Sequence, residues 1–380
     1  MKVLVMYEYP PQPAGLATQG DLLYRGLLEL GVEVFPVNLH SRVEKEWYFR
    51  WFKPDVAVGI GYWGHTPEIV FHPMDHGILP VPWLVADGFV ANYREALNSL
   101  PLILVTSNWV RDVYNQDGVN NPNIKVLPVG CDVDKFSPRA AGDPRVAAIR
   151  KQAGVGEGEI VILTAGGDAA SKGGQEVMQA LARVGREIAP WRYVIKVWPQ
   201  ERTVRQNQMD MDLARSLGIM DRLIILDEVI SRNFMPYLMQ ACDIYAAPAR
   251  LEGFGMLQVE AGACGKPVIG LRAMGMLDTL IHGETALLAR VAVENRIREA
   301  TLGPESGFPP GTCISFDPPR IADYRACVDD ICDYLVDLAG QPDLRERLGQ
   351  AGRRRAEQLF DYRRVANDFV KIVQDQLGIA

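Results

Sequence analysis

The stretch that decides the fold spans residues 244–264 and reads IYAAPARLEGFGMLQVEAGAC. It begins with a short apolar run at residues 244–246, which predicts a buried strand. A loop containing Gly253 and Gly255 follows, and residues 256–264 then have the composition of a helix. A strand that leads through a glycine-containing turn into a helix is the repeating unit of a doubly wound α/β sheet.

The same unit recurs along both halves of the chain. Residues 2–6 are apolar without alternation, residues 10–15 form a loop rich in Pro and Gly, and the leucines between 22 and 30 follow a helical period that ends at Gly31. Further strands are predicted at residues 32–37, 55–60, 83–86, 103–106, 124–129, 160–164, 193–197, 223–226 and 267–269. A polar linker at 137–144 separates two Rossmann-like halves, and residues 294–319 are predicted to be an irregular insertion.

Length and composition are those of an ordinary globular protein. The chain has 380 residues, a net charge of −7 and 48% hydrophobic residues. The hydrophobic content argues against disorder, and the negative net charge argues against general electrostatic binding of nucleic acid. No run approaches the ~20 apolar residues of a transmembrane helix, and the six cysteines show no CxxC pair. These features predict a reduced, cytoplasmic protein and leave peripheral attachment to the inner membrane face open.

One glycine-containing turn is a candidate phosphate site. Gly253 and Gly255 permit close approach of the backbone, and the helix that follows offers unpaired N–H groups at its start. Glu252 in the turn and Glu260 in the helix can face one cleft, where carboxylates accept hydrogen bonds from sugar hydroxyls. The alternative is that the turn only caps a helix, as similar turns often do.

A second candidate turn spans residues 166–174. It contains Gly166, Gly167 and Lys172, and the lysine can supply a positive charge to a diphosphate. The order of a Walker loop is absent. Helix capping by Asp168 and Ser171 is the alternative, but two such turns at strand ends of one half favour a nucleotide diphosphate between them.

Three clusters resemble metal sites, and we predict no metal at any of them. His72 and His76 have the spacing of helical metal ligands, but Pro73 and Gly77 favour a loop and no third ligand is evident. The Asp-x-Asp sequence at 132–134 is interpreted as turn capping. The one at 210–212 is interpreted as a solvated helix face.

Two further features point toward an acceptor. His65 follows a predicted strand, at the edge where ligands collect in open sheets, although a satisfied loop histidine is the simpler interpretation. Residues 45–53 interleave aromatic and basic side chains. We interpret them as a helix that packs on the sheet or lines an acceptor pocket, with a membrane interface as the alternative.

Taken together, these segments resemble the retaining GT-B glycosyltransferases of family four, also called glycosyl transferases group 1. Glu252 and Glu260, eight residues apart, match the E-x7-E motif within that family's PSxxEGFGxxxxEAxAxGxPV signature, here residues 248–268. The other matches are short and lie at Gly15, residues 126–132 with 136–138, Gly166 with Lys172 and Gly173, and Gly275 with Asp278.

The resemblance implies an α/β fold of two Rossmann-like domains that face each other across a cleft, the GT-B architecture. Residues 1–140 would bind the acceptor, residues 141–360 the nucleotide-sugar, and residues 361–380 would form a helix that crosses back to the first domain. The implied reaction moves a sugar from a nucleoside diphosphate sugar, UDP- or GDP-linked, to a sugar, lipid-linked or small-molecule acceptor. It retains the anomeric configuration and needs no metal or other cofactor.

Residue roles also follow from the resemblance. Lys172 would grip the diphosphate, Glu252 would hold the donor sugar, and Glu260 would bind the ribose hydroxyls. The remaining donor contacts would come from Gly15, Gly166, Gly167, Gly253, Phe254, Gly255 and Met256.

The sequence departs from the family at two positions. Gly167-Asp168 stands where the phosphate loop usually has an arginine, which makes Arg250 a candidate for the missing contact. Asp87 stands in place of the family's usual histidine at the end of a strand. Three interpretations of Asp87 are open. It would bind a sugar hydroxyl in place of the histidine, it would change which donor is used, or it would mark a protein without activity. A non-catalytic nucleotide-sugar-binding protein is therefore the alternative function, and a sugar-nucleotide epimerase is a third.

Overall fold

The structure is a computed structural model that describes residues 1–140, 142–199 and 201–379, apart from the side chains of 201–203 and 305. The chain divides into two compact units. Unit 1 contains Met1–Asp132, Arg296–Ile321 and Leu359–Ala380, and unit 2 contains Val133–Asn295 and Ala322–Gln358. The positions 141 and 380, which bound predicted domains, lie outside the described residues. Residues 296–321 belong to unit 1, a contribution that the predicted boundaries do not include.

Unit 1 alternates strands and helices, as the sequence pattern predicts. Its elements up to residue 126 are β1 (Lys2–Tyr7), α1 (Gly15–Glu29), β2 (Glu33–Asn38), α2 (Arg42–Trp51), β3 (Val56–Gly61), α3 (His72–Asp75), β4 (Leu79–Leu84), α4 (Arg94–Asn98), β5 (Ile103–Val105), α5 (Asn108–Gln116) and β6 (Ile124–Val126). The strands form one parallel sheet in the order β2-β1-β3-β4-β5-β6. Every residue of β3 is buried, which explains its continuous apolar sequence.

Strand β4 begins four residues earlier than predicted. Pro80 and Pro82 weaken the strand signal, because proline cannot donate a ladder hydrogen bond. The structure places both prolines where β4 pairs with β3 alone, since β5 pairs only with Trp83 and Leu84. The missing N–H groups therefore cost the sheet little.

The segment with the paired histidines is also different from the prediction. Residues 67–71 form a π-helical turn and continue directly into α3, so that His72 opens the helix and His76 caps it. Pro73 is tolerated because it lies in the first turn of α3, where its missing N–H would have no helical partner. The loop predicted here was therefore wrong.

Unit 2 repeats the same alternation. Its elements are α6 (Pro144–Gln152), β7 (Ile160–Ala165), α7 (Gly174–Val184), β8 (Trp191–Lys196), α8 (Glu201–Ser216), β9 (Leu223–Leu226), α9 (Met235–Ala241), β10 (Ile244–Ala246), α10 (Met256–Ala263), β11 (Val268–Leu271), α11 (Met276–Thr279) and β12 (Ala286–Ala289). The strands form a second parallel sheet in the order β12-β11-β10-β7-β8-β9.

The segment predicted to be irregular is instead a long two-stranded ladder of β13 (Val291–Thr301) and β14 (Cys313–Ala326). Most residues of β13 are exposed, so the segment lacks the hydrophobic period that reveals a strand. Within unit 1, the end of this hairpin is held by apolar and ionic contacts. Leu302 joins the buried core, Phe316 packs on Phe89 at 5.0 Å between ring centroids, and Arg320 pairs with Asp117 at 2.8 Å.

The chain ends in three helices, α12 (Val328–Gly340), α13 (Pro342–Arg355) and α14 (Tyr362–Leu377). Helix α14 belongs to unit 1, where it packs closely on α1: a Cβ at Gly26 would lie 2.6 Å from that of Ala366. None of the helices in the described parts of the chain combines the length and apolar composition needed to traverse a bilayer.

Candidate functional site

The candidate site of unit 2 lies where three neighbouring strands end. Strands β11, β10 and β7 are adjacent and parallel, so the loops that follow them meet at one edge of the sheet. Two backbone hydrogen bonds join these loops: the N–H of Arg250 donates to Ser171 at 2.8 Å, and the N–H of Gly275 donates to Glu252 at 3.2 Å. The two turns singled out in the sequence are therefore in direct contact.

Lys172 and Glu252 form an ion pair across the first two loops. The ammonium Nζ of Lys172 donates to Oε2 of Glu252 at 2.7 Å, and both side chains are about one-fifth exposed. The stem of Lys172 crosses Gly166 so closely that a Cβ there would lie 2.5 Å from Cγ of the lysine. Glycine at 166 thus lets the lysine lie flat over the loop with its charge directed at Glu252.

Glu252 is held in its ionised form by its surroundings. Burial raises the pKa of its carboxyl, but the Lys172 ammonium and the N–H groups of Gly255 and Phe254 lower it by more, so the pKa lies below its ordinary value. The N–H of Gly255 donates to Oε1 of Glu252 at 3.1 Å. Gly255 has a φ of +92°, which favours glycine.

The start of α10 supplies the other polar groups of this loop. Met256 is the first residue of the helix, and the first N–H groups of any helix lack partners within it, so they attract anions. Phe254 is buried and its carbonyl accepts from Thr279 at 3.2 Å. The turn is thus held by one hydrogen bond within it, from Gly255 to Glu252, and by two from outside it, from Thr279 and Gly275.

Glu260 lies one turn further along α10 and is 1% exposed. Both of its oxygens accept hydrogen bonds from the guanidinium of Arg232, which also lies over the ring of Phe136 at 5.0 Å. Arg232 is not among the residues predicted from the sequence. No motif marks it, because it lies 28 residues before its partner in the loop between β9 and α9.

Lys196 is a second cation that sequence analysis missed. It ends β8, is 5% exposed, and burial lowers the pKa of its ammonium to about 8, without a contribution from charged neighbours among the described residues. Its carbonyl accepts from Gly166 at 3.0 Å, and Gly167 accepts from Trp198 at 3.0 Å. A lysine directly after the buried residues 193–195 of β8 is the signal that could have found it.

The guanidinium of Arg250 is already occupied by hydrogen bonds to residues of α7. Its guanidinium donates to both oxygens of Glu176, at 3.1 and 3.0 Å, and to Oε1 of Gln175 at 2.8 Å. Asp168, in the Gly167-Asp168 pair that departs from the family, accepts from the N–H and the hydroxyl of Ser171 at 2.7 and 2.9 Å. A diphosphate contact by Arg250 stays a prediction.

The sequence predicted that the Asp-x-Asp residues at 210–212 form a solvated helix face. That prediction is wrong for Asp210. Asp210 is buried and accepts from Gln175 at 2.8 Å and Gln206 at 3.0 Å, whereas Asp212 is exposed. Burial raises the pKa of Asp210, and the hydrogen bonds from Gln175 and Gln206 offset this rise only in part.

The other Asp-x-Asp sequence, at 132–134, begins in unit 1. There Asp132 accepts a hydrogen bond from Arg25 at 2.8 Å.

The predicted residues of unit 1 lie at one edge of its sheet. Gly15, His65 and Asp87 follow β1, β3 and β4, which are adjacent parallel strands. Gly15 is the exposed first residue of α1, and Asp87 is exposed. His65 is half-buried and contacts the ring of Tyr62 at 4.5 Å between centroids.

The aromatic residues of α2 divide between the core and the surface. Phe49 is buried, while Trp47 and Trp51 are 54% and 58% exposed and stack on each other at 4.7 Å. Trp51 also contacts Phe35. The prediction of a helix packed on the sheet is thus correct for one face of α2, and the other face presents indole rings to solvent.

Comparisons with known proteins identify the class to which this site belongs. The sequence profile of the family "Glycosyl transferases group 1" matches residues 146–301, a stretch that includes the loops after β7, β10 and β11. This stretch therefore matches the glycosyl transferases group 1, and the resemblance found in the sequence is confirmed.

Two curated relatives illustrate how far the similarity extends. D-inositol 3-phosphate glycosyltransferase of Xylanimonas cellulosilytica is 30% identical over 181 residues, which make up 47% of this chain and 42% of the relative. MMP alpha-(1->4)-mannosyltransferase of Mycolicibacterium hassiacum is 26% identical over 294 residues, or 77% of this chain and 58% of the relative. The chain thus matches about half the length of these curated relatives.

Solved structures share the fold over nearly the whole chain. Sucrose-phosphate synthase from Thermosynechococcus elongatus has a TM-score of 0.77 at 14% identity and covers 100% of both chains. Anabaena HepE in complex with UDP and glucose has a TM-score of 0.73 at 15% identity and covers 98% of this chain and 99% of its own. The predicted α/β fold with two Rossmann-like units, as in GT-B glycosyltransferases, is confirmed.

Proposed function

We propose that the chain is a retaining glycosyltransferase that moves a sugar from a nucleoside diphosphate sugar to a hydroxyl group of an acceptor. The observation that carries this proposal is the 2.7 Å pair of Lys172 and Glu252 beside the start of α10. A cation, a carboxylate and unpaired helix N–H groups are the groups that a leaving diphosphate and its sugar require. The family match at residues 146–301 supports the same activity.

In the proposed reaction, the bond between the anomeric carbon and the diphosphate oxygen breaks. The acceptor oxygen then bonds to the same face of the anomeric carbon, and its proton passes to the leaving diphosphate. Lys172 and the first N–H groups of α10 stabilise the charge that develops on the diphosphate, while Glu252 orients the sugar through its hydroxyls. The chain's contribution is thus positioning and charge stabilisation, without a bound metal.

We assign Lys196 as the second cation for the diphosphate. Gly167-Asp168 stands where the family usually has an arginine, and the guanidinium of Arg250 is already held by Glu176. Lys196 is buried beside the phosphate loop, and its carbonyl is bonded to Gly166. The ammonium lies 5.9 Å from the centroid of the Trp198 ring. Burial alone shifts its pKa, without a charged group among the described residues, which fits a role in binding an anion.

The nucleoside is expected to bind near Glu260. Ribose hydroxyls can donate to this buried carboxylate only if Arg232 gives up its hydrogen bonds there. A UDP-linked donor is the first choice and a GDP-linked donor the second. The structure of Anabaena HepE with UDP-glucose supports the first.

The acceptor is proposed to meet unit 1 at the sheet edge that carries Gly15, His65 and Asp87, and to be a sugar, a lipid-linked sugar or a small molecule. The exposed pair of Trp47 and Trp51 supports peripheral contact with a membrane. All six cysteines are free thiols, which supports the proposed cytoplasmic location.

The first experiment is a thermal-shift panel with UDP, GDP, ADP and their sugar derivatives. We expect one nucleotide to stabilise the protein selectively, because ligand at 100 times its dissociation constant adds about 2.7 kcal/mol. The matching nucleotide-sugar is then used in a transfer assay. Proton NMR of the product reports whether the anomeric configuration is retained.

Variants then assign the activity to the site. Lys172→Ala and Glu252→Ala should each abolish transfer, whereas Lys151→Ala, which changes an exposed lysine of α6, should transfer normally. Near-normal turnover in either of the first two variants would remove that residue from the proposed site. Absence of stabilisation by every nucleotide would contradict the donor class itself.

A non-catalytic nucleotide-sugar-binding protein is the second candidate. Two observations favour it. Gly167-Asp168 offers no arginine to a diphosphate, since Asp168 bonds to Ser171 of the same turn, and Asp87 stands in place of the family's usual histidine. Such a protein would show selective nucleotide stabilisation but no turnover with any acceptor and no slow hydrolysis of the donor.

A further inference from the structure

Unit 1 contains a cluster of one carboxylate and two imidazoles that the proposed transfer reaction does not use. Glu46 comes from α2, and His72 and His76 come from the two ends of α3. The Nε2 atoms of His72 and His76 lie 3.6 and 4.0 Å from Oε1 of Glu46. One ligand atom from each residue lies within 4.8 Å of the other two.

The Nε2 atoms of both histidines face Glu46, and the tautomer of His76 follows from a backbone contact. Nδ1 of His76 lies 3.0 Å from the carbonyl of His72, and a carbonyl only accepts, so Nδ1 carries the proton and Nε2 is left as a base. His72 is 9% exposed. Its Nε2 is buried and has no hydrogen-bond partner among the described residues, which is costly unless another group binds it.

We propose that Glu46, His72 and His76 bind a divalent transition-metal ion, with zinc as the best fit. Imidazole nitrogens together with a carboxylate oxygen are a ligand set that zinc prefers. Tetrahedral zinc holds its ligand atoms about 3.3 Å apart, given bonds of about 2.0 Å. The observed 3.6 and 4.0 Å require only small side-chain movements to reach this spacing.

The hydrogen bond from Nδ1 of His76 to the carbonyl of His72 is of the kind that orients a metal-bound imidazole. Metal-bound histidines usually donate their other ring N–H to a carbonyl or a carboxylate, which fixes the tautomer and the ring orientation. The ring of Phe49 packs against both imidazoles, at 5.5 and 5.3 Å between centroids. The side chains are thus held in place before a metal binds.

Nearby cations compete with a metal ion for Glu46 and should lower the affinity of the proposed site. Arg42 and Arg50 donate to Glu46 at 2.9 and 3.3 Å, and the buried Lys45 donates to the carbonyl of Glu68 at 3.2 Å. The side chains of Arg42 and Arg50 are 76% and 74% exposed, so both can turn to water when a metal takes their place. We therefore expect Arg42→Gln to bind metal more tightly than the wild type.

The experiment is a titration of the full-length chain with Co²⁺, a coloured substitute for zinc, followed by displacement with Zn²⁺. We expect one bound equivalent with visible d–d absorption bands that zinc removes. Intense near-ultraviolet bands would indicate thiolate ligands instead and would overturn the assignment. His72→Gln, His76→Gln and Glu46→Gln should lose the bands, whereas His40→Gln, which changes an exposed histidine outside the cluster, should keep them.

Folding of the variants is checked by thermal unfolding without metal. His72 is buried, so His72→Gln can fail to fold; the more exposed His76→Gln and Glu46→Gln then decide the outcome. Equal cobalt binding by the wild type and by folded His76→Gln would overturn the proposal, as would a wild-type chain without d–d bands. Tighter binding by Arg42→Gln supports the assignment of Glu46 as a ligand, and unchanged binding counts against it.

Discussion

Replacement of Lys196 by methionine is expected to stabilise the free protein and to weaken its binding of nucleoside diphosphates. The lysine is 5% exposed, and burial lowers its pKa from 10.5 to about 8. At 1.36 kcal/mol for each pKa unit, this corresponds to about 3 kcal/mol of unfavourable free energy in the folded protein at pH 7. Methionine keeps the length of the side chain and removes the charge, so the free energy of unfolding should rise by up to that amount.

The pH dependence follows from the same pKa. Folded Lys196 loses its proton near pH 8, whereas the unfolded chain keeps the proton up to about pH 10.5. The unfolded state therefore binds more protons in this window, and the stability of the wild type should rise with pH there. Lys196→Met should lack this rise.

Nucleotide binding should shift the pKa of Lys196 in the opposite direction to burial. A diphosphate beside Lys196 favours the charged ammonium and raises its pKa. The wild type should therefore take up a proton when it binds nucleotide slightly above pH 8, and Lys196→Met should not. Loss of one charge-assisted contact is worth roughly 1.5–3 kcal/mol, or about 10- to 150-fold in affinity.

Urea unfolding and calorimetric titration in buffers of different ionisation enthalpy measure these quantities. Lys151→Met is the matched control, because it removes an exposed lysine of the same unit. A Lys196→Met variant that is less stable than the wild type and binds nucleotide equally well would refute the reasoning. The lysine would then be a structural residue and not a donor contact.

Two other substitutions test contacts described above. Arg232→Gln should bind the preferred nucleotide more tightly in calorimetry, since ribose hydroxyls no longer have to displace a guanidinium from Glu260; weaker binding would mean that Arg232 itself contacts the nucleotide. Arg320→Ala should lower the free energy of unfolding by roughly 3 kcal/mol, because it leaves the buried carboxylate of Asp117 without its ionic partner. A loss below about 1 kcal/mol in thermal unfolding would show that the pair is weakly coupled to the fold.

Sequence patterns predicted the two sheets because most of their strands are buried on both faces. The apolar runs at residues 2–6 and 160–164 correspond to β1 and β7, in which nearly every residue is buried. The hairpin of β13 and β14 could not be predicted in this way. Backbone hydrogen bonds join its two strands, and most residues of β13 are exposed, so no hydrophobic period marks the segment.

The candidate site was predictable where residues act within one loop or helix. The sequence places Glu252 and Glu260 eight residues apart, and α10 brings both to the same end of the sheet. Lys196 and Arg232 act across strands and loops that are distant in the sequence. Their positions depend on the pairing of β7 with β8 and on the path of the loop after β9, which local spacing does not reveal.

The division of the chain also restricts how proteins of this kind can be recombined. The polypeptide passes from one unit to the other at residues 132/133, 295/296, 321/322 and 358/359. A chimera with a single junction after residue 132 would separate unit 1 from the hairpin end that carries Leu302 and Phe316, and from α14. An exchange of the whole of unit 2 between relatives would therefore need four junctions, and a chimera with one junction should have an incomplete core.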